Sequence, residues 1–260
     1  MENFFWRVSQ GLLREGGFAL ITGEPGSGKS VALQLLIEYL IRQEEVVIGI
    51  LSRPQSRLSD FYREMGELFG IDIKPHNRWA GFKNLRKTWK EHLDKRLIRP
   101  ILLIDEAQQM NPEVLSELRV LTSTQLDSRN ILSVALAGDL RLIELLRRPE
   151  LVPLAGRIRY RLVLEPSNRD ELREYLLHLQ TQAGNAKLLT PELVNTLADH
   201  AQGNLRLMIN LANELFTTAI QKNITTIDEK LFLEMCESSR KSRTSSEKGE
   251  AGARRTTRQN

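Results

Sequence analysis

The stretch Gly23-Glu24-Pro25-Gly26-Ser27-Gly28-Lys29-Ser30 follows the short apolar run Phe18–Thr22. It precedes a segment in which Leu33, Leu36, Ile37 and Leu40 recur at i, i+3, i+4 and i+7. It satisfies G-x-x-x-x-G-K-[ST] in the strand-then-helix setting that this pattern requires. Glycines at these places let the backbone curl so that successive N–H groups point at phosphate oxygens. Lys29 brings a positive charge to the outer phosphates, and the Ser30 hydroxyl can ligate Mg2+. The N-terminus of the following helix adds its own partial positive charge. Gly23, Glu24, Pro25, Gly26, Ser27, Gly28, Lys29, Ser30 and Val31 are therefore expected to line a phosphate-binding site.

A second element lies about 75 residues further on. Ile101-Leu102-Leu103-Ile104 is an apolar run that ends in the carboxylates Asp105 and Glu106. Opposite a phosphate loop, Asp105 suits the water shell of Mg2+ and Glu106 suits a general base polarising an attacking water. Around these two motifs, short aliphatic runs alternate with helical patterns. The expected strands are Phe18–Thr22, Val46–Leu51, Ile101–Ile104, Ile131–Ala137 and Ile158–Leu164. The first four are almost wholly apolar, as strands buried on both faces of a parallel sheet should be. Asn111-Pro112-Glu113 reads as an N-cap, a first-turn proline and an acid at the positive helix end. The alternation predicts a doubly wound α/β domain.

After Glu165-Pro166 only helical patterns follow, expected at about 168–183, 191–201, 204–221 and 228–238. Some 70 residues of helix make little core alone, so this part is expected to pack on the α/β domain. The expected organisation is an α/β domain over 1–166, a helical domain over 167–239 and a disordered basic tail over 240–260. That tail carries Arg240, Lys241, Arg243, Lys248, Arg254, Arg255 and Arg258 against Glu247 and Glu250, inside a chain of net charge +4. A flexible basic arm beside a near-neutral body suits contact with a phosphate backbone.

The 260 residues are 41% hydrophobic and 27% charged, an ordinary globular balance. No apolar run approaches the ~20 residues that span a bilayer. The first residues have neither a basic n-region nor an apolar h-region. Cys236 is the one cysteine, and no Cys/His cluster has zinc spacing. Membrane, disulfide-scaffold and collagen-like classes are excluded, and a cytoplasmic protein is expected.

The loop Gly23–Ser30, the run Leu103-Ile104-Asp105-Glu106 and the helical C-terminal part together resemble AAA+ ATPases. The stretches Gly17–Gly26 and Ile104-Asp105-Glu106-Ala107-Gln108 are similar to the bacterial branch that holds the secretion ATPase ExeA and the transposition regulators TnsC, IstB and MuB. The resemblance covers about residues 10–235. It implies a P-loop fold with a parallel five-stranded sheet and a small helical lid domain, and ATP with Mg2+ as ligands. It implies a sensor at Asp139, in Ala137-Gly138-Asp139, where Asn, Ser or Thr is more usual. It implies a second sensor at Arg206, in Gly203-Asn204-Leu205-Arg206, at the start of a lid helix. Arg157-Ile158-Arg159-Tyr160-Arg161 alternates, so one strand face is expected to carry three arginines. In related ATPases an arginine just before this strand enters a neighbouring subunit's site. Arg157 fits that role best and Arg159 second, with assembly into a ring or helical filament completing the site.

The segment 78–99, which holds eight basic residues against Glu91 and Asp94, points to the client. Lys83, Lys87 and Lys90 fall at i, i+4 and i+7 and should share a helix face. In transposition regulators this region lines the surface that tracks DNA. Repeated around an assembly, such a row neutralises phosphates without reading sequence. Trp79 and Trp89, at helical positions, read as core residues. The resulting expectation is an ATPase that assembles on double-stranded DNA and regulates a transposase. The alternatives are an ExeA-like secretion or envelope-assembly ATPase and an initiator or helicase-loader ATPase.

Overall fold

The computed structural model describes residues 2–42, 45–51, 54–73, 77–96, 98–124, 129–185 and 187–237. The basic tail, expected over 240–260, lies outside the described residues. The chain divides into two compact units, Met1–Glu165 and Pro166–Asn260.

The first unit runs α1 (Glu2–Arg14), β1 (Gly17–Gly23), α2 (Lys29–Ile41), β2 (Val46–Leu51), α3 (Leu58–Leu68), α4 (Arg78–Glu91) and β3 (Arg99–Ile104). It continues through α5 (Pro112–Thr122), the short strands β4 (Ser123–Thr124) and β5 (Arg129–Asn130), β6 (Ser133–Gly138), α6 (Leu140–Leu146), α7 (Val152–Ala155) and β7 (Ile158–Leu164). Five strands form one parallel sheet in the order β2-β3-β6-β1-β7, while β4 and β5 make a separate antiparallel hairpin. Strand β6 lies between β1 and β3, in register Leu20↔Leu136 on one side and Leu102↔Val134 on the other.

The sheet is two-faced because alternate residues point to opposite sides. Phe18, Leu20, Leu102, Ile104, Val134 and Leu136 share one core with residues of α3 to α6, among them Phe61, Leu85, Trp89, Leu118 and Leu142. Ala19, Ile21, Ile101, Leu103, Ala135 and Ala137 share the other with Phe5, Val8 and Leu12 of α1 and Leu33, Leu36 and Leu40 of α2. Three alanines on this second face leave room for α2 to lie close, which brings its N-terminus to the end of β1. The doubly wound α/β fold expected from the alternation is present.

Two strand readings need correction. Strand β2 is an edge strand with Ile50 exposed, not a strand buried on both faces. The expected strand at Ile131–Ala137 begins two residues later, because Ile131 and Leu132 connect the hairpin to β6 and are buried there without being part of the sheet.

In the second unit, α8 (Arg169–Gln182), α9 (Pro191–Ala201), α10 (Leu205–Gln221) and a helix at 229–237 pack Leu172, Leu176, Leu193, Leu197, Met208, Leu215 and Phe232 together. Capping side chains set their starts. Asn168 and Glu171 form a reciprocal capping box, and Thr190 caps α9 ahead of Pro191.

Candidate nucleotide site

Three neighbouring strands end at one edge of the sheet. There β1 leads into the loop, β6 into Asp139, and β3 into Asp105 and Glu106. In open α/β sheets this carboxyl edge is where ligands bind. The loop closes on Gly28, which caps α2 at φ +92, a left-handed conformation that a side chain would strain. Lys29 is buried, with Nζ donating to the carbonyls of Gly23 at 3.0 Å and Glu24 at 2.9 Å. Ser27 Oγ is buried without a hydrogen-bond partner, an orphaned polar atom inside the loop. Glu24, Pro25, Ser30 and Val31 are exposed along the outer rim.

The two motifs meet. Ser30 Oγ donates to Asp105 Oδ2 at 2.6 Å across 75 residues of chain. The other Asp105 oxygen accepts from the Glu106 backbone N–H at 2.8 Å. Glu106 itself has φ +53, and its Oε2 accepts from Gln108 Nε2 at 2.7 Å and Gln109 Nε2 at 3.2 Å. Among the described residues no group of three or more His, Cys, Asp or Glu could hold a metal ion. The donor set nevertheless fits Mg2+ bound together with a triphosphate. Ser30 and Asp105 supply hard oxygen ligands, and the phosphates supply others.

Asp139 is buried, caps α6 by accepting from the Arg141 N–H at 2.9 Å, and pairs with the Arg141 guanidinium at 2.5 Å. Hydrogen bonds from Arg141 hold its carboxyl below the usual carboxylate range. The position expected for a sensor thus holds an anion already paired with an exposed cation.

The arginine row needs correction. Arg157 lies before β7, and its half-buried guanidinium donates to the Arg119 carbonyl at 3.0 Å and to Ser123 Oγ at 3.1 Å. Ile158 pairs with Phe18 and Tyr160 with Ala19, so Arg159 is the extra residue of a bulge, exposed and ion-paired with Glu15. Arg161 is exposed and donates to the Ala155 carbonyl. Arg159 and Arg161 are both exposed and alternate with Tyr160 and Leu162, which pack on the core, but Arg157 lies before the strand, so the three do not form one row on a strand face. Arg206 stands exposed in the first turn of α10, in the second unit, behind the N-cap Asn204.

On α4, Gly81, Leu85 and Trp89 face the core, and Lys83, Lys87 and Lys90 occupy the opposite side. Lys83 and Lys87 are exposed and Lys90 is half-buried. Not all of the basic segment is available. Arg78 pairs with Glu117, and Arg99 is turned onto the carbonyls of Leu13, Arg14 and Asn130. Of the two tryptophans expected in the core, Trp89 is fully buried, but Trp79 is 63% exposed. Trp79 stacks on Phe82 with Lys83 Nζ 5.0 Å from its ring. The residues that sequence reasoning missed are Gln108, Gln109 and Arg141. Gln108 reaches Asp139 only because β3 and β6 are neighbours, whereas Gln109 meets Glu106 and Arg141 meets Asp139 within three residues of chain, contacts that no motif records.

An AAA domain family model matches residues 13–146, just over half the chain. General secretion pathway protein A of Aeromonas hydrophila is 33% identical over 208 residues, 78% of this chain and 37% of that protein. The chain thus spans little more than a third of that relative's length. Among solved structures, Cdc6p of Pyrobaculum aerophilum aligns with a TM-score of 0.70 at 18% identity over 86% of this chain and 62% of its own. The Aeropyrum pernix ORC1 protein, solved in complex with DNA, gives 0.65 at 17% identity over 91% and 64%. At such identities the likeness is one of fold. The matched segment runs from the end of α1 through the loop, the carboxylate pair and Asp139, and the chain accordingly belongs to the AAA domain family, on the AAA+ branch of the secretion ATPase ExeA.

Proposed function

We propose that this chain binds ATP with Mg2+ at residues 23–31, hydrolyses it, and uses the cycle to control its assembly on double-stranded DNA, where it regulates a transposase. The observation that carries the catalytic part is the 2.6 Å contact between Ser30 and Asp105, which unites the two motifs at one sheet edge. In this reading the Lys29 ammonium turns from the Gly23 and Glu24 carbonyls to the β- and γ-phosphates. Mg2+ held by Ser30 and Asp105 would neutralise charge on the phosphate oxygens. Glu106 takes the proton of a water that attacks the γ-phosphorus as the bond to the ADP oxygen breaks. Asp139 and Arg141 form the sensor pair beside it. Arg206 is proposed to report nucleotide state from the second unit. Arg157 or Arg159 is proposed to complete a neighbouring copy's site, with the exposed Arg159 now the better placed of the two.

The client reading rests on the lysine side of α4, Lys83, Lys87 and Lys90, which faces away from the core. Three phosphate contacts per copy imply an affinity that falls about 40-fold between 50 and 200 mM salt. The test is the ATPase rate and DNA affinity of the full chain with random-sequence duplex across that salt range. Stimulation at low salt, lost in Lys83→Ala/Lys87→Ala/Lys90→Ala while ATP binding persists, is the expected result. Equal rates with and without duplex at low salt would remove DNA as the client. That outcome would favour the second reading, a secretion-type ATPase, which the 33% identity to secretion pathway protein A supports.

A further inference from the structure

Gln108 follows the carboxylate pair by two residues, in the single 3-10 turn after β3 (Ala107–Gln109). Its carboxamide reaches in two directions. Nε2 donates to Glu106 Oε2 at 2.7 Å, and Oε1 accepts from the backbone N–H of Asp139 at 3.3 Å. Asp139 begins the segment after β6, the strand hydrogen-bonded alongside β3. One side chain therefore ties the end of β3 to the end of β6.

The fit is specific to an amide of this length. Its nitrogen must face the carboxylate and its oxygen the N–H, since the reverse orientation would set oxygen against oxygen and N–H against N–H. Asparagine is one methylene short, glutamate cannot donate to Glu106, and leucine can do neither. The neighbouring backbone makes room for it. A Cβ on Gly138 would come within 2.6 Å of Gln108 Oε1 and 2.8 Å of Leu142 Cδ2. Glycine at the last position of β6 therefore leaves the space that the amide fills.

We infer that Gln108 is the positioning residue of the hydrolytic centre, clamping the Glu106 carboxylate to the sensor strand through the Asp139 N–H. Glu106 has a left-handed backbone conformation and needs such a restraint, because a non-glycine residue at φ +53 is held only by its surroundings. With Oε2 occupied by amide donors, Oε1 is the oxygen left to accept a proton. Any shift of Asp139 on nucleotide binding is transmitted through one side chain to the base. The inference rests on Glu106 acting as the general base.

The test is single-turnover and steady-state ATP hydrolysis by the full chain with Mg2+ and duplex DNA, alongside ATP affinity by calorimetry. Gln108→Leu keeps the volume and removes both hydrogen bonds. It is expected to lower kcat at least fivefold with the ATP Kd unchanged within twofold. In a Glu106→Gln background it is expected to cost nothing more, since the clamp then holds a group that cannot take a proton. Gln108→Glu, which retains the acceptor for Asp139 but cannot donate to Glu106, should reproduce the loss if the leucine variant fails to fold. A kcat within fivefold of wild type, a Kd weakened in step with kcat, or a full additional loss in the double variant would each overturn the inference. A Glu106→Gln chain that hydrolyses at the wild-type rate would instead overturn the base assignment, and a wild-type chain without hydrolysis would remove both.

Discussion

Asp139 stands at the edge of the candidate site and at the same time caps a helix. Its carboxylate closes the first turn of α6 and holds Arg141, and hydrogen bonds from Arg141 depress its pKa, with burial opposing and Lys29 adding a smaller pull in the same direction. The sign of the consequence follows from linkage. A depressed folded pKa contributes stability that is fully present above the unfolded value of about 3.9 and is lost as pH falls through the lower folded value. Asp139→Asn is therefore expected to melt below wild type throughout pH 5–7. The two curves should converge as pH drops below 3. Thermal melts across that range check it, and a difference that persists undiminished at pH 2.5 would place the carboxylate's contribution elsewhere. The residues of the loop and the carboxylate pair were legible because each motif is contiguous. Gln108 was not, since what makes it matter is that β3 and β6 are neighbours, which is not written at its position, and Arg141 was not, since its pairing with Asp139 two residues away follows no motif.

At the level of elements, α4 carries two tryptophans that a sequence reading treats alike. Trp89 falls in the stripe of Gly81 and Leu85, is fully buried, and meets Phe69 edge-on at 5.3 Å between ring centroids. Trp79 sits in the first turn, on the side of the lysines, stacked on Phe82. Truncating a buried aromatic costs about 3–5 kcal/mol, whereas an exposed one costs well under half of that. Trp89→Ala is expected to destabilise the first unit by that larger amount and Trp79→Ala by about 1 kcal/mol or less, as read by denaturant unfolding of each variant. Comparable losses would mean that Trp79 is packed in solution. Periodicity placed most strands within a residue or two, because an apolar run bounded by turn residues has few alternatives. It could not tell the edge strand β2 from a central one, since both read as aliphatic. It passed over α1, although Phe5, Val8 and Leu12 line one face of it, and over the β4–β5 hairpin, whose strands are two residues each.

For the whole molecule the open question is whether hydrolysis needs a second copy. The proposed chemistry divides between subunits, with Glu106 supplied by the copy that holds ATP and an arginine supplied by its neighbour. Arg159 is the leading candidate, because its bulge exposes it on the edge strand, and its ion pair with Glu15 joins two exposed side chains and is worth little. A head-to-tail assembly in which each interface joins one base to one arginine makes a quantitative demand. Glu106→Gln alone and Arg159→Ala alone should each be nearly inactive, the first lacking the base at every interface and the second lacking the arginine. Mixed in equal amounts and allowed to exchange subunits, they regain an intact interface wherever an Arg159→Ala copy holds the nucleotide and a Glu106→Gln copy stands beside it. Random assembly makes that about a quarter of all interfaces, so the mixture should recover about a quarter of the wild-type rate, rising with total protein concentration. Repeating the mixture with Arg157→Ala separates the two arginines, because only the one that crosses the interface can be complemented. A mixture no faster than the sum of its parts in both cases would mean that each copy hydrolyses ATP with its own residues alone.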